Sequence, residues 1–208
     1  MIESRMLLMF FTTSILLAFS PGPDNLFVMT QAARQGRKAG LLVTLGLCTG
    51  LLFHTATVTF GLAALFKASA VAFTGLKFAG AAYLLYLAGN AFRARAGSGS
   101  TAVADHVNPG VLYRRGIIMN ITNPKVSIFF LAFLPQFADP ANGPLSMQIM
   151  LLGGIFIIAT LLVFGLISIL AGVFGERFRR SAFAQKVLNR AAACIFAALA
   201  LKLALTQR

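Results

Sequence analysis

Two ionisable residues lie where ionised groups are costly. Asp24 interrupts the apolar run Met6–Met29 within "AFSPGPDNLFVM", and Lys125 interrupts the run Gly116–Phe137 within "NITNPK". Prolines stand beside both: Pro21 and Pro23 before Asp24, Pro124 before Lys125. A proline has no N–H and its ring disrupts the preceding turn, so backbone carbonyls are left to find other partners. A half-helix then starts afresh, at about Asn25 in the first segment and about Val126 in the second. Its free N–H groups attract an anion, and the carbonyl end before the break attracts a cation. A free amino acid carries both charges. Two facing breaks are therefore expected to bind a small zwitterion from both ends, with Asp24 and Lys125 as partners.

Other polar groups extend this expectation. Asn120, Asn123 and Ser127 recur at i, i+3 and i+7, which places them on one face of a continuous helix. Their amides and hydroxyl either reach a substrate or bond to the freed backbone. Gln31 lies seven residues beyond Asp24, on the same face of a regular half-helix. His54 stands in an apolar run with Thr55 and Thr57, and an imidazole's titration near neutral pH suits proton coupling; Asp24 is the other candidate proton carrier. A lone histidine also serves as a packing residue bonded between helices. A plainer reading of the acidic and basic pair is that Asp24 caps its half-helix while Lys125 neutralises it.

The elements that position these residues are apolar helices. Of 208 residues, 58% are hydrophobic and 11% charged, with 20 phenylalanines, 19 glycines and no tryptophan. A membrane-spanning helix needs about 20 mostly apolar residues. Six runs qualify, at about 6–33, 39–66, 73–92, 116–137, 147–174 and 187–205, the first and fourth broken at the prolines. The first has the look of a secretory leader, but Pro21 would follow the cut, and it reads as a retained helix. Eleven of the 18 Lys and Arg residues fall at or in the gaps after the first, third and fifth runs, and Arg190 at the start of the sixth run makes twelve. Those gaps face the cytoplasm, and both termini are expected in the periplasm. Lys77 and Lys202 lie near the outer helix ends, within reach of the interface.

The longest gap, 93–115, is small, polar and linker-like. It divides one membrane domain, 1–208, into three-helix halves at 1–92 and 116–208. An odd number of crossings per half inverts the second half, the plan of many secondary transporters. Asp24 lies ten residues before Arg34, and Lys125 ten residues after Arg115. At about 1.5 Å per residue, both are then roughly 15 Å deep, near the middle of the bilayer. The fold class is an all-α membrane protein of six transmembrane helices. Paired glycines, Gly36/Gly40 and Gly46/Gly50, then Gly153 and Gly154, suit close helix packing and allow a homodimer.

Several classes are disfavoured. The net charge of +13 is spread between apolar runs rather than along a stripe, which argues against a nucleic-acid partner. Cys48 and Cys194 are isolated, so a thiol relay and a cysteine metal site both lack their spacing. No Walker motif or nucleophile–base signature appears, so neither an enzyme nor a cofactor is expected. A cation or metal transporter would need more intramembrane carboxylates or histidines, and a non-transporting membrane subunit would need none of this chemistry.

Four blocks in order resemble the lysine exporter and homoserine–threonine resistance (LysE/RhtB) family. They are "SPGPDNLFV", "GRKAGLLVTLGLCTGLLFHT" (Gly36–Thr55), "LKFAGAAYLLYLAGNAFR" (Leu76–Arg93) and "NITNPKVSIFFLAFLPQF" (Asn120–Phe137). The resemblance implies a six-helix exporter of amino acids or close derivatives in the bacterial inner membrane, driven by protons or the membrane potential. It also implies motif positions at Pro21, Gly22, Pro23, Asp24, Asn123, Pro124 and Lys125. Export as the direction, and the coupling ion, come from the resemblance alone.

Overall fold

The structure is a computed structural model that describes residues 2–68, 70–93 and 108–205. Most of the expected linker, 94–107, lies outside the described residues. The elements are α1 (Ser4–Phe19), α2 (Pro23–Gln35), α3 (Arg37–Ala68), α4 (Ala70–Arg93), α5 (Pro109–Ile121), α6 (Pro124–Ile128), α7 (Leu145–Arg180) and α8 (Ala182–Leu205). After α6 the chain continues as a π-helical turn (Phe129–Phe133) and a 3₁₀ turn (Leu134–Phe137). Pro135 explains the change of winding, because it cannot donate to the ladder that an α-helix would require. No strand occurs among the described residues.

Prolines set the helix starts. Asn108 precedes Pro109 and its side chain accepts from Gly110 N; Asn123 precedes Pro124 and accepts from Lys125 N. In each case proline takes the first helical position, where its missing N–H costs nothing, and asparagine caps the turn. The half-helices after the breaks begin at Pro23 and Pro124, about half a turn closer to the break than expected. Gly36, at φ 85°, joins α2 to α3 in a conformation that favours glycine.

Helix ends depart from the apolar runs where the flanks are basic. α5 starts at Pro109 and carries Arg114 and Arg115 in helix, and α7 runs on through Arg177, Arg179 and Arg180. Arginine is a good helix former, so the charged flanks lengthen helices instead of ending them. α3 (Arg37–Gly61) and α7 (Leu145–Ala171) are each long and apolar enough to cross a membrane. The pair α1 and α2 is bent by 61°, and α5 with the Pro124–Phe137 segment by 48°; counting each bent pair as one crossing gives four. The six crossings expected from sequence thus rest, beyond these four, on α4 and α8.

Packing joins the two ends of the chain. α3 packs chiefly on α5 and α7, α4 on α8, and α1 and α2 on α7. α1 and α2 thus lie on the long α7, and α5 lies on the long α3. In lipid, helices gain little from hydrophobic burial, so close van der Waals approach matters more. A Cβ at Gly46 would strike the Tyr113 carbonyl, and one at Gly116 the Val43 carbonyl, so α3 and α5 meet backbone to backbone. Gly40 gives the same room to Ser168 of α7, and Gly153 to Thr55. A Cβ at Gly154 would meet nothing within 4 Å.

Inside and outside are reversed relative to a water-soluble protein. Phe60 is 80% exposed and Leu8 67%, while Asp24 is 2% and Asn120 2% exposed. Phe129, Phe130, Phe133 and Phe137 are buried in a cluster with Phe10 and Phe156. Lys202 Nζ sits over the Phe137 ring at 4.4 Å.

Candidate functional site

The first break is built from Ser20, Pro21 and Gly22 between α1 and α2. Gly22 is the N-cap of α2 and offers no side chain to its N–H groups. Asp24 does not cap them either: it sits in the first turn, and its Oδ2 accepts from Asn120 Nδ2 at 3.3 Å, at the end of α5. A carboxylate there is also favoured by the helix dipole. The carbonyls that end α1 are held from two sides. Asn25 Nδ2 donates to Ala18 O at 2.6 Å, and Lys125 Nζ donates to Ser20 O at 3.0 Å and Leu17 O at 3.5 Å.

These contacts show how the two expected partners are placed. Lys125 is buried and close enough to Asp24 to attract it, but its ammonium bonds to the α1 carbonyls and not to the carboxylate. The cation expected at that carbonyl end is thus supplied by the protein. Gly22 makes the approach possible, since a Cβ there would lie 3.0 Å from Lys125 Nζ.

The second break is more self-contained. Asn123 N donates to Asn120 O at 3.0 Å, and Asn123 Oδ1 accepts from Lys125 N at 3.0 Å. Ser127 Oγ donates to Asn123 O at 3.1 Å, so Ser127 serves the backbone of its own turn. Asn123 lies in the break, so Asn120, Asn123 and Ser127 do not share one continuous helix face. His54 Nε2 meets Asn120 O at 3.1 Å; a carbonyl only accepts, so Nε2 is the donor. The His54 ring also packs on Phe130, with centroids 5.6 Å apart.

The candidates therefore divide. Asp24, Asn120, His54, Asn123 and Lys125 form one connected buried group, with Asn25 attached through α1. Pro21, Gly22, Pro23 and Pro124 shape the backbone around it. Gln31 instead accepts from Gln35 Nε2 at 3.0 Å, and Thr55 Oγ1 donates to Leu51 O within its own helix. Ser20 and Leu17 were not singled out from sequence: their part is played by carbonyls, which residue type does not advertise. Among the described residues no three His, Cys, Asp or Glu side chains gather as a metal site would require.

Several buried atoms here have no protein partner: Ser20 Oγ, Asp24 Oδ1, Asn25 Oδ1, Asn120 Oδ1 and Asn123 Nδ2. Asn123 Nδ2 approaches the Asp24 carboxylate without reaching hydrogen-bond geometry. Buried polar groups are ordinarily bonded, so a cluster of unmet ones marks a place built for something else.

An apolar-surfaced helical bundle, with two bent helix pairs around buried charged groups, is the build of a membrane protein. The comparisons narrow that class. The chain belongs to the LysE type translocator family, whose profile matches residues 15–207. A homoserine/homoserine lactone efflux protein of Salmonella typhi is 38% identical over 151 residues, 73% of this chain and 73% of the relative. An uncharacterized membrane protein of Bacillus subtilis, YrhP, is 30% identical over 209 residues, 96% of this chain and 99% of the relative. No solved structure matches the chain.

Proposed function

We propose that this protein exports homoserine-like amino acids and close derivatives across the bacterial inner membrane by secondary active transport. The carrying observation is the crossing of bonds between the breaks: Asp24 of α2 accepts from Asn120 of α5, while Lys125 of α6 holds the carbonyls of α1. The first break is completed by residues beside the second. Relative movement of the two must therefore make and break these bonds, as alternating access around a shared midplane site requires.

In this reading each bent pair is one crossing, and α3, α4, α7 and α8 supply the other four, with both termini periplasmic. The reciprocal packing, α1 and α2 on α7 and α5 on α3, supports two inverted halves, 1–92 and 116–208. Roughly 15 Å of helix separates the basic edges from Asp24 and Lys125, about half the hydrocarbon thickness. Asp24 is the proton carrier, because one of its oxygens is unbonded. His54 positions Asn120 through its Nε2 and is the second candidate for coupling. Each proton entering along a membrane potential supplies about 2.3 kcal/mol per 100 mV. The substrate is the small zwitterion named for the Salmonella relative or a close analogue.

Everted membrane vesicles energised by a proton gradient test this directly. They are expected to take up homoserine faster when they contain the protein. Asp24→Asn should abolish the dependence of that uptake on pH while the protein remains in the membrane. Uptake by Asp24→Asn with an unchanged rate and pH profile would exclude the mechanism.

A further inference from the structure

The amides around the breaks have orientations fixed by their bonds. Asn120 Nδ2 donates to Asp24 Oδ2, Asn25 Nδ2 donates to Ala18 O, and Asn123 Oδ1 accepts from Lys125 N. Turning any of them over would set oxygen against oxygen or N–H against N–H, so the oxygen and nitrogen of each are distinguishable.

What remains unbonded is unequal. Three oxygens that can only accept, Asp24 Oδ1, Asn25 Oδ1 and Asn120 Oδ1, receive no protein donor. Asp24 is the one that carries charge. Of the two Asp24 oxygens only Oδ2 is bonded, and by a neutral amide. An ionised carboxylate accepts several donors, and a buried one left short of them is strongly unfavourable. The unmet donors are Ser20 Oγ, a neutral hydroxyl, Asn123 Nδ2 and the third N–H of an ammonium that two carbonyls already receive. Asn123 Nδ2 is a neutral amide already turned toward Asp24. Lys125 Nζ has three N–H groups, of which the Ser20 and Leu17 carbonyls take two.

We infer that the substrate's primary ammonium is the group this site requires, received by Asp24, and that its opposite end is read only as an acceptor oxygen by Lys125 and Asn123. The inference rests on the exporter reading and deepens it. The substrate class is then a small primary amine with a neighbouring carboxylate or carbonyl oxygen. A zwitterion leaves the charge of the Asp24–Lys125 pair unchanged. A lactone of the same amino acid keeps the ammonium and an acceptor oxygen but adds one positive charge, so it binds more weakly. An N-acylated amino acid offers no ammonium and leaves Asp24 unmet.

Three probes separate these cases in everted vesicles containing the unmodified protein: homoserine, homoserine lactone and N-acetylhomoserine, followed over times short enough that the lactone stays closed. Uptake above vesicles lacking the protein is expected for homoserine. The lactone should follow with affinity lower by about tenfold, the scale of one weakened charged contact. N-acetylhomoserine should remain at background. Uptake of N-acetylhomoserine at a rate comparable to homoserine would overturn the inference and leave the exporter reading intact. So would exclusion of the lactone together with the acetylated compound, since the carboxylate would then be obligatory. Failure of all three would overturn the exporter reading and this inference with it.

Discussion

The two breaks solve the same problem by opposite means. At the second, the chain caps itself: Asn123 accepts from Lys125 N, and its own N–H bonds back to Asn120 O. At the first, Gly22 supplies no cap, and the carbonyls of α1 depend on Asn25 and on Lys125 of the other half. The second break is thus a local turn braced by the close contact of α3 and α5. The first is held open and completed from outside. A difference of this kind assigns different duties. In the proposed mechanism, break two carries Lys125 and Asn120 to the meeting point, and break one is the part whose bonds change as the halves move.

The largest test of that contrast is Lys125→Met. It strips two carbonyls of their donor and leaves Asp24 without its nearby cation. A loss of about 3 kcal/mol or more in detergent unfolding is expected, together with loss of transport. Transport at the normal rate would mean that break one does not need the other half.

Gly46→Ala attacks the brace behind break two. Its Cβ would meet the Tyr113 carbonyl, a backbone atom that cannot swing aside. The expected cost is about 1–3 kcal/mol, read as a lower thermal midpoint. Gly154→Ala, with nothing within 4 Å, should be neutral or slightly stabilising; equal losses in the two variants would remove the brace from the account.

Asn123→Ala deletes the cap of break two, at a cost of about 1 kcal/mol. Transport should slow without disappearing, because Lys125 still reaches α1. Ser127→Ala is the smallest change. Its hydroxyl serves only the Asn123 carbonyl within the same turn, so stability should stay within about 0.5 kcal/mol and transport should be normal. A large transport defect in Ser127→Ala would return that residue to the substrate face expected from its spacing.

What could be read in the sequence followed from residues that break a rule. Pro21, Pro23, Asp24, Pro124 and Lys125 stand out because apolar helices exclude them, and the bends lie where they stand. The apolar runs likewise located the cores of the long helices. Their ends were less legible: Arg114, Arg115 and Arg177–Arg180 continue helices, because charge sets which side of a membrane a segment faces without ending its winding. Pro135 carries the signal for the π and 3₁₀ turns after α6, inside a run of phenylalanines that otherwise reads as continuous helix. The partner of Lys125 was hidden for a different reason. Charge complementarity suggested Asp24, whereas the bonds go to Ser20 O and Leu17 O, and a carbonyl is present at every position. Asn120 as the donor to Asp24 depended on a contact between residues 96 apart in the chain, which periodicity within one helix does not reveal.

The central claim is that the two breaks meet. Asp24→Cys combined with Asn120→Cys, in a chain whose Cys48 and Cys194 are replaced by alanine, puts it to a direct test in native membranes with a short thiol-bridging reagent. The account predicts one intramolecular cross-linked peptide pair joining the two positions, detected by mass spectrometry. Absence of that pair, with both cysteines still open to modification one at a time, would contradict it.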